Sequence, residues 1–136
     1  MMTERQIAIV KKTWKIFRVI DPVLIGDVFY SKLFSDAPHL KSMFTTARPV
    51  QSKKLVDMLS LILGRLDKMD EVTEEIRQLA LRHKGYGVKL SHYDLVGDAL
   101  IWTLQQGLGR DWNEEVAEAW KLCYETFSGV MRKAVS

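Results

Sequence analysis

The distribution of proline constrains this chain more than any other feature. All three prolines, Pro22, Pro38 and Pro49, lie in the first 49 residues, and none follows between residues 50 and 136. Each precedes an apolar periodic run, a position that suits proline because the first N–H of a helix has no partner inside that helix. No stretch alternates apolar and polar residues over a strand's length, and Asn-Gly and Asp-Gly hairpin signals are absent. The sequence therefore predicts an all-α fold.

Periodicity and capping signals predict seven helices. Thr3 and Gln6 have the spacing of a capping box, and Asp21 is a cap in front of Pro22. Gly85 and Gly87 end the fifth helix, because glycine tolerates the left-handed backbone found after a helix C-terminus. The predicted helices run over about 3–19, 21–34, 38–43, 49–66, 70–84, 91–107 and 113–133.

Length and composition indicate one globular domain over residues 1–136. The chain is 47% hydrophobic, enough for a buried core at this length. Its net charge of +3 comes from interspersed basic residues, so nucleic-acid binding is not indicated. The N-terminus lacks the apolar core of a signal peptide and no run is long enough to span a membrane, so a cytoplasmic protein without membrane contact is expected. The exposed faces show no self-complementary patch, which favours a monomer or weak dimer.

Three polar side chains stand among apolar residues on three different predicted helices. Tyr30 lies between phenylalanines and leucines, Gln51 leads an apolar stripe, and His83 follows Ile76 and Leu79 on one face. Taken singly, each has an ordinary structural interpretation, such as a buried ring with a wet hydroxyl or a half-exposed imidazole. Buried polar groups need partners, and the pattern offers none of the three a local one. Together, three such groups on three helices are less easily explained as separate structural residues.

Other chemistries find little support in the sequence. His39 and His92 have no metal-ligand spacing with His83, and HExxH and CxxC motifs are absent, which argues against zinc. Neither a nucleotide-binding glycine motif nor a GxSxG nucleophile motif occurs. Cys123 permits no intramolecular disulfide and sits on an apolar helix face, as a small buried residue would.

Several stretches in order resemble a known family. The sequence is similar to the globins, in particular to bacterial single-domain globins and the globin domain of flavohaemoglobins. The matching segments are FYSKLF (29–34), Phe44 after the short helix, QSKKL (51–55), RHKGYGV (82–88), HYDLVG (92–97), and Ala119, Trp120 and Tyr124 on the last helix.

This resemblance implies a globin fold of about seven helices around a haem b pocket. His83 would be the proximal ligand of the iron, and Tyr30 and Gln51 would be distal groups that hydrogen-bond to bound O₂. The same two side chains would be the catalytic groups if the protein were a nitric oxide dioxygenase. Further haem contacts are implied at Phe44 on the haem face, at Leu55, Leu59, Leu79, Val88, Val96 and Leu100 in the walls, at Lys54, Arg82, Lys84 and Tyr86 near the propionates, and at Tyr93 beside the proximal histidine.

The chain also departs from the family pattern. The family has a glutamate late in the last helix, and in this chain the corresponding position falls near Lys133. The second N–H of His83 would then lack an anionic acceptor, which argues against peroxidase-like chemistry. The loop between Phe44 and Gln51 is shorter than in flavohaemoglobins. No reductase module follows within these 136 residues, so turnover would need an external reductase.

The resemblance therefore implies a globin that binds O₂, NO and CO at ferrous haem iron. Reversible gas binding and NO dioxygenation with an external reductase both remain open. The alternatives are a globin-fold sensor or interaction module without haem, and an unrelated helical bundle whose motif matches arise by chance.

Overall fold

The computed structural model describes residues 2–135, which form α-helices and short 3₁₀ helices without any β-strand. All seven predicted helices are present, while the two end residues of the predicted domain, Met1 and Ser136, lie outside the described residues. The α-helices are α1 (Glu4–Phe17), α2 (Pro22–Asp36), α3 (Arg48–Gly64), α4 (Thr73–Gly85), α5 (His92–Leu108) and α6 (Glu114–Val135). The 3₁₀ helices are Pro38–Met43, Leu66–Glu71 and Gly109–Asp111.

The predicted starts of the first two helices are confirmed. The Thr3 hydroxyl accepts the Gln6 N–H at 3.1 Å, and the Thr3 N–H donates to the Gln6 side-chain oxygen at 2.9 Å, which completes the capping box. The Asp21 carboxylate accepts the Val23 N–H at 2.9 Å. Both caps satisfy N–H groups that the first turn of a helix leaves unpaired.

The predicted helices over 49–66 and 70–84 have the wrong boundaries. α3 begins at Arg48 and ends at Gly64, and the 3₁₀ helix Leu66–Glu71 separates it from α4, which begins at Thr73. Lys68 has a non-helical backbone (φ −132°, ψ 50°), so this connection is kinked. A 3₁₀ segment this short carries no 3.6-residue periodicity, so the sequence predicts a break near it but not the 3₁₀ helix itself.

α5 begins at His92, next to the predicted start near Ser91. Ser91 makes no side-chain capping bond, and the His92 Nδ1 accepts the N–H of Lys89, in the loop before the helix, at 3.0 Å. His92 is buried, with 8% of its surface exposed. The histidine thus stabilises the connection between α4 and α5.

The main helix contacts fall into two groups. α2 lies against α3 and α5, while α1 and α4 lie against α6. The buried Trp120 indole donates to the Thr13 hydroxyl at 2.9 Å and so ties α6 to α1. None of the described helices combines the length and apolar character needed to cross a membrane.

The crossing of α2 and α3 is unusually close. A Cβ added to Gly26 would lie 1.6 Å from the Ser52 hydroxyl oxygen and 2.2 Å from the Ser52 Cβ. Gly26 lies one helical turn before Tyr30, and Ser52 follows Gln51. This contact therefore sets the spacing between the two helices that carry Tyr30 and Gln51.

Candidate functional site

A cavity of about 200 Å³ brings together three of the predicted site residues. Tyr30 reaches it from α2, Gln51 from α3, and Phe44 from the segment between the 3₁₀ helix and α3. We call this space the distal cavity. Its described lining consists of Tyr30, Phe34, Lys41, Phe44, Thr46, Arg48 and Gln51.

Aromatic packing fixes Tyr30 within this cavity. Its ring meets Phe44 edge-on at 5.3 Å between centroids and stacks on Phe34 at 5.8 Å. Only 2% of Tyr30 is exposed, and burial raises the pKa of its phenol, while the hydrogen-bonding influence of the Gln51 amide and the charge of Arg48 act in the opposite direction. A raised pKa keeps the hydroxyl protonated at neutral pH, so Tyr30 can donate a hydrogen bond to a molecule in the cavity.

Arg48 is a cavity residue that the sequence did not single out. Its guanidinium carbon lies 5.4 Å from the Tyr30 ring centroid and 5.7 Å from that of Phe34, within the range of cation–π attraction. The arginine precedes Pro49 and lies just outside the predicted helix over 49–66, whereas it is the first residue of α3. Only the approach of α2 to α3 shows that its side chain turns over the aromatic rings.

His83 is held by its own helix. The ring is half-buried on α4, and its Nδ1 lies 2.7 Å from the Leu79 carbonyl oxygen. A carbonyl only accepts, so Nδ1 carries the proton and Nε2 keeps its lone pair in the neutral ring. The expectation that His83 has no local partner is wrong: a backbone acceptor one turn earlier supplies it, and side-chain patterns do not reveal such acceptors.

A second concavity, of about 380 Å³, forms a groove between α3 and α4. Leu79 and Arg82, both predicted haem contacts, line it on the α4 side close to His83 in sequence. His83 itself lines neither this groove nor the distal cavity. The other described lining residues are Met58, Leu61, Ile62, Glu74, Glu75, Ile76 and Gln78.

The remaining predicted haem contacts differ in exposure. Leu59, Tyr93 and Leu100 are buried, and Leu55, Val88 and Val96 are half-buried. The predicted propionate partners Lys54, Arg82, Lys84 and Tyr86 are exposed. Lys84 donates to the Val135 carbonyl at 3.5 Å, and the Tyr86 ring lies 6.0 Å from that of His83. These roles stay predictions.

Tyr93 is packed against the end of α6. The guanidinium carbon of Arg132 lies 5.5 Å from the Tyr93 ring centroid, and Arg132 donates to Asp94 at 2.7 Å. Tyr124 donates from its hydroxyl to the Tyr93 carbonyl. Near Lys133, where the family pattern has a glutamate, the side chain that contacts Tyr93 is therefore an arginine. The Nδ1 of His83 is hydrogen-bonded to the Leu79 carbonyl instead of to a glutamate.

Comparison with known proteins identifies the family. The Globin family model matches residues 27–131, most of the chain, and the chain belongs to that family. The chain is 28% identical over 132 residues to the flavohemoprotein of Oceanobacillus iheyensis, covering 90% of this chain and 32% of the relative. It thus spans about a third of that longer protein.

Two further comparisons cover both partners almost completely. Leghemoglobin 49 of Vicia faba is 28% identical over 145 residues, covering 98% of each chain. The solved structure of an engineered carbene transferase from Rhodothermus marinus superposes with a TM-score of 0.85 at 25% identity, covering 99% of this chain and 94% of the other. The predicted all-α globin fold is therefore confirmed.

Proposed function

We propose that this globin binds haem b through His83 and takes up O₂, NO or CO beside Tyr30 and Gln51. The hydrogen bond between Nδ1 of His83 and the Leu79 carbonyl, 2.7 Å long, carries the proposal. It fixes the tautomer and the ring orientation, and it directs the Nε2 lone pair away from the helix backbone. A neutral imidazole held in this way by a second hydrogen bond is the usual form of a histidine metal ligand.

The protein side chains define what would surround a bound gas. Haem iron, when bound, supplies the coordination position for a diatomic ligand. The protonated Tyr30 hydroxyl and the Gln51 amide both reach the distal cavity and can donate to a ligand that gains negative charge. The rings of Phe34 and Phe44 pack around Tyr30, which is 2% exposed, and a hydrogen bond from a buried donor is stronger than one made in water.

The experiment that tests haem binding uses the His83→Ala variant. Wild-type protein should show a Soret band that shifts on reduction and on addition of CO, and the variant should fail to retain haem stably. His39→Ala is the matched control, because His39 is an exposed histidine on the 3₁₀ helix Pro38–Met43. An unchanged Soret band in His83→Ala would contradict the assignment, and its absence in the wild type would favour a haem-free sensor or interaction module.

NO dioxygenation is a second candidate function, favoured by the Tyr30 and Gln51 pair in one cavity. In this reaction O₂ and NO combine with one electron from an external reductase to give nitrate. Both candidate functions need a firmly held O₂, so Tyr30→Phe should speed O₂ dissociation by about tenfold, the effect of one lost hydrogen bond to a charged group. Stopped-flow displacement of O₂ by CO measures this rate, and an unchanged rate would refute the distal role of Tyr30.

A further inference from the structure

The distal cavity has a cationic mouth. Of its seven described lining residues two are basic, Lys41 and Arg48, and none is acidic. Lys41 comes from the 3₁₀ helix Pro38–Met43 and Arg48 from the start of α3, so separate elements place the two charges at one opening. The neutral gases O₂, NO and CO do not need these charges, whereas an anion, either a free oxyanion or a haem propionate, would be stabilised by them.

The guanidinium of Arg48 is positioned without being fully engaged. The rings of Tyr30 and Phe34 lie against it, while its ion pair with Asp27 has an N–O distance of 3.7 Å, beyond hydrogen-bond length. The Arg48 side chain remains 38% exposed. Its N–H groups are therefore available to an anion that enters from solvent.

The backbone adds to the positive potential at the mouth. α3 begins here, and its N-cap residue, Ala47, contributes no side-chain hydrogen bond. The amino end of a helix carries partial positive charge, which favours a nearby anion. The hydroxyl of Thr46 lines the same cavity and is a further donor.

We propose that Lys41, Thr46 and Arg48 form a binding site for a small inorganic oxyanion, of the nitrate and nitrite class, at the mouth of the distal cavity. A planar guanidinium matches two oxygens of such an anion. A four-atom anion needs only a small part of the cavity volume of about 200 Å³, since a water molecule takes about 30 Å³. This inference rests on the proposed function, because the bound anion would be one that reacts or forms next to the haem.

The test titrates nitrate into the haem-loaded, CO-saturated ferrous protein at constant ionic strength. Because CO occupies the iron, a saturable shift of the C–O stretching band reports an anion bound elsewhere in the cavity. Arg48→Gln and, separately, Lys41→Gln should each weaken nitrate binding about tenfold, as expected for one lost charged hydrogen bond. Asp27→Asn should strengthen it, because that carboxylate competes for Arg48.

Lys53→Gln is the matched control. It removes one positive charge from α3, but Lys53 pairs with Asp57 and does not line the cavity. Equal weakening in Lys53→Gln and Arg48→Gln would mean that net charge alone acts, and would overturn the proposal. Unchanged nitrate affinity in haem-loaded Arg48→Gln would also overturn it, since the guanidinium would then serve a haem propionate or the aromatic rings and not a free anion.

The two proposals fail in different ways. A haem-loaded protein whose C–O band does not respond to nitrate refutes the oxyanion site and leaves haem binding intact. A protein that takes up no haem refutes the proposed function, and nitrate binding is then followed through the side-chain amide resonance of Gln51 in NMR spectra. A saturable shift of that resonance, lost in Arg48→Gln, would support the site, and its absence would refute it.

Discussion

Replacing Gly26 with alanine should destabilise this globin, although alanine is the better helix former. The added Cβ would lie 1.6 Å from the Ser52 hydroxyl oxygen, 2.2 Å from the Ser52 Cβ and 3.1 Å from its Cα. Rotating the hydroxyl away relieves only the first overlap. The second falls 1.2 Å short of the 3.4 Å at which ordinary contact begins, so α2 and α3 must separate.

The expected magnitude follows from two opposing effects. Forcing an extra methyl group into a tight contact costs about 1–3 kcal/mol. Exchanging glycine for alanine inside a helix returns up to about 1 kcal/mol. Subtracting the full helix gain leaves a net loss of up to about 2 kcal/mol in the free energy of unfolding, near this limit if the backbones cannot move apart.

Gly129 provides the matched control. It lies within α6, and a Cβ added there has no neighbour within 4 Å. Gly129→Ala should therefore stabilise the protein by about 0.5–1 kcal/mol, opposite in sign to Gly26→Ala. Urea denaturation followed by circular dichroism, with all variants in the same haem state, measures both changes from their midpoints and slopes.

A double mutant separates the contact from general effects of substitution. Ser52→Gly removes the atoms that the new methyl group would strike, so the Gly26→Ala and Ser52→Gly substitutions should couple favourably in a double-mutant cycle. Purely additive effects would show that the two helices do not meet at this point. Stabilisation by Gly26→Ala equal to that by Gly129→Ala would refute the reasoning outright.

Two further predictions concern buried titratable side chains. Burial is the largest cause that lowers the pKa of His92 below 6.5, followed by the charges of His39 and Lys89. The unfolded chain therefore binds more protons than the folded protein just below pH 6.5. The contribution of His92 to stability is lost as the pH falls through that range. His92→Gln keeps an acceptor for the Lys89 N–H without a proton to gain, so its unfolding free energy should depend less on pH between 7 and about 5, and an identical slope in wild type and variant would contradict this. Burial raises the pKa of the Cys123 thiol to about 12, so iodoacetamide at neutral pH should label this thiol only after unfolding in urea. Mass spectrometry measures the labelling. Rapid labelling of the native protein would disprove the buried placement.

Local signals in the sequence were enough for most of the fold. Thr3 with Gln6 and Asp21 with Pro22 are short-range motifs, and each makes the predicted cap. The 3₁₀ helix Leu66–Glu71 was not predicted, because a short segment with a kink at Lys68 has no periodic sequence pattern, and its contacts are with α1, α3 and α4. Helix existence was therefore more predictable than helix boundaries.

The residues of the candidate site also differ in whether a local sequence pattern could identify them. Tyr30 and Gln51 could be singled out because each is a polar residue on an apolar face. Arg48 could not, because its position over the Tyr30 ring depends on how α2 and α3 cross. The hydrogen-bond acceptor for His83 was also out of reach, because it is a backbone carbonyl, which every residue possesses.

The two halves of the site consequently depend on different parts of the structure. His83 is oriented by a carbonyl within its own helix, so its geometry survives as long as α4 is intact. Tyr30 and Gln51 lie on separate helices whose spacing is set by Gly26 and Ser52. A change that spreads α2 from α3 should therefore alter gas dissociation more than haem attachment, whereas a change that frays the last turn of α4 should release haem first.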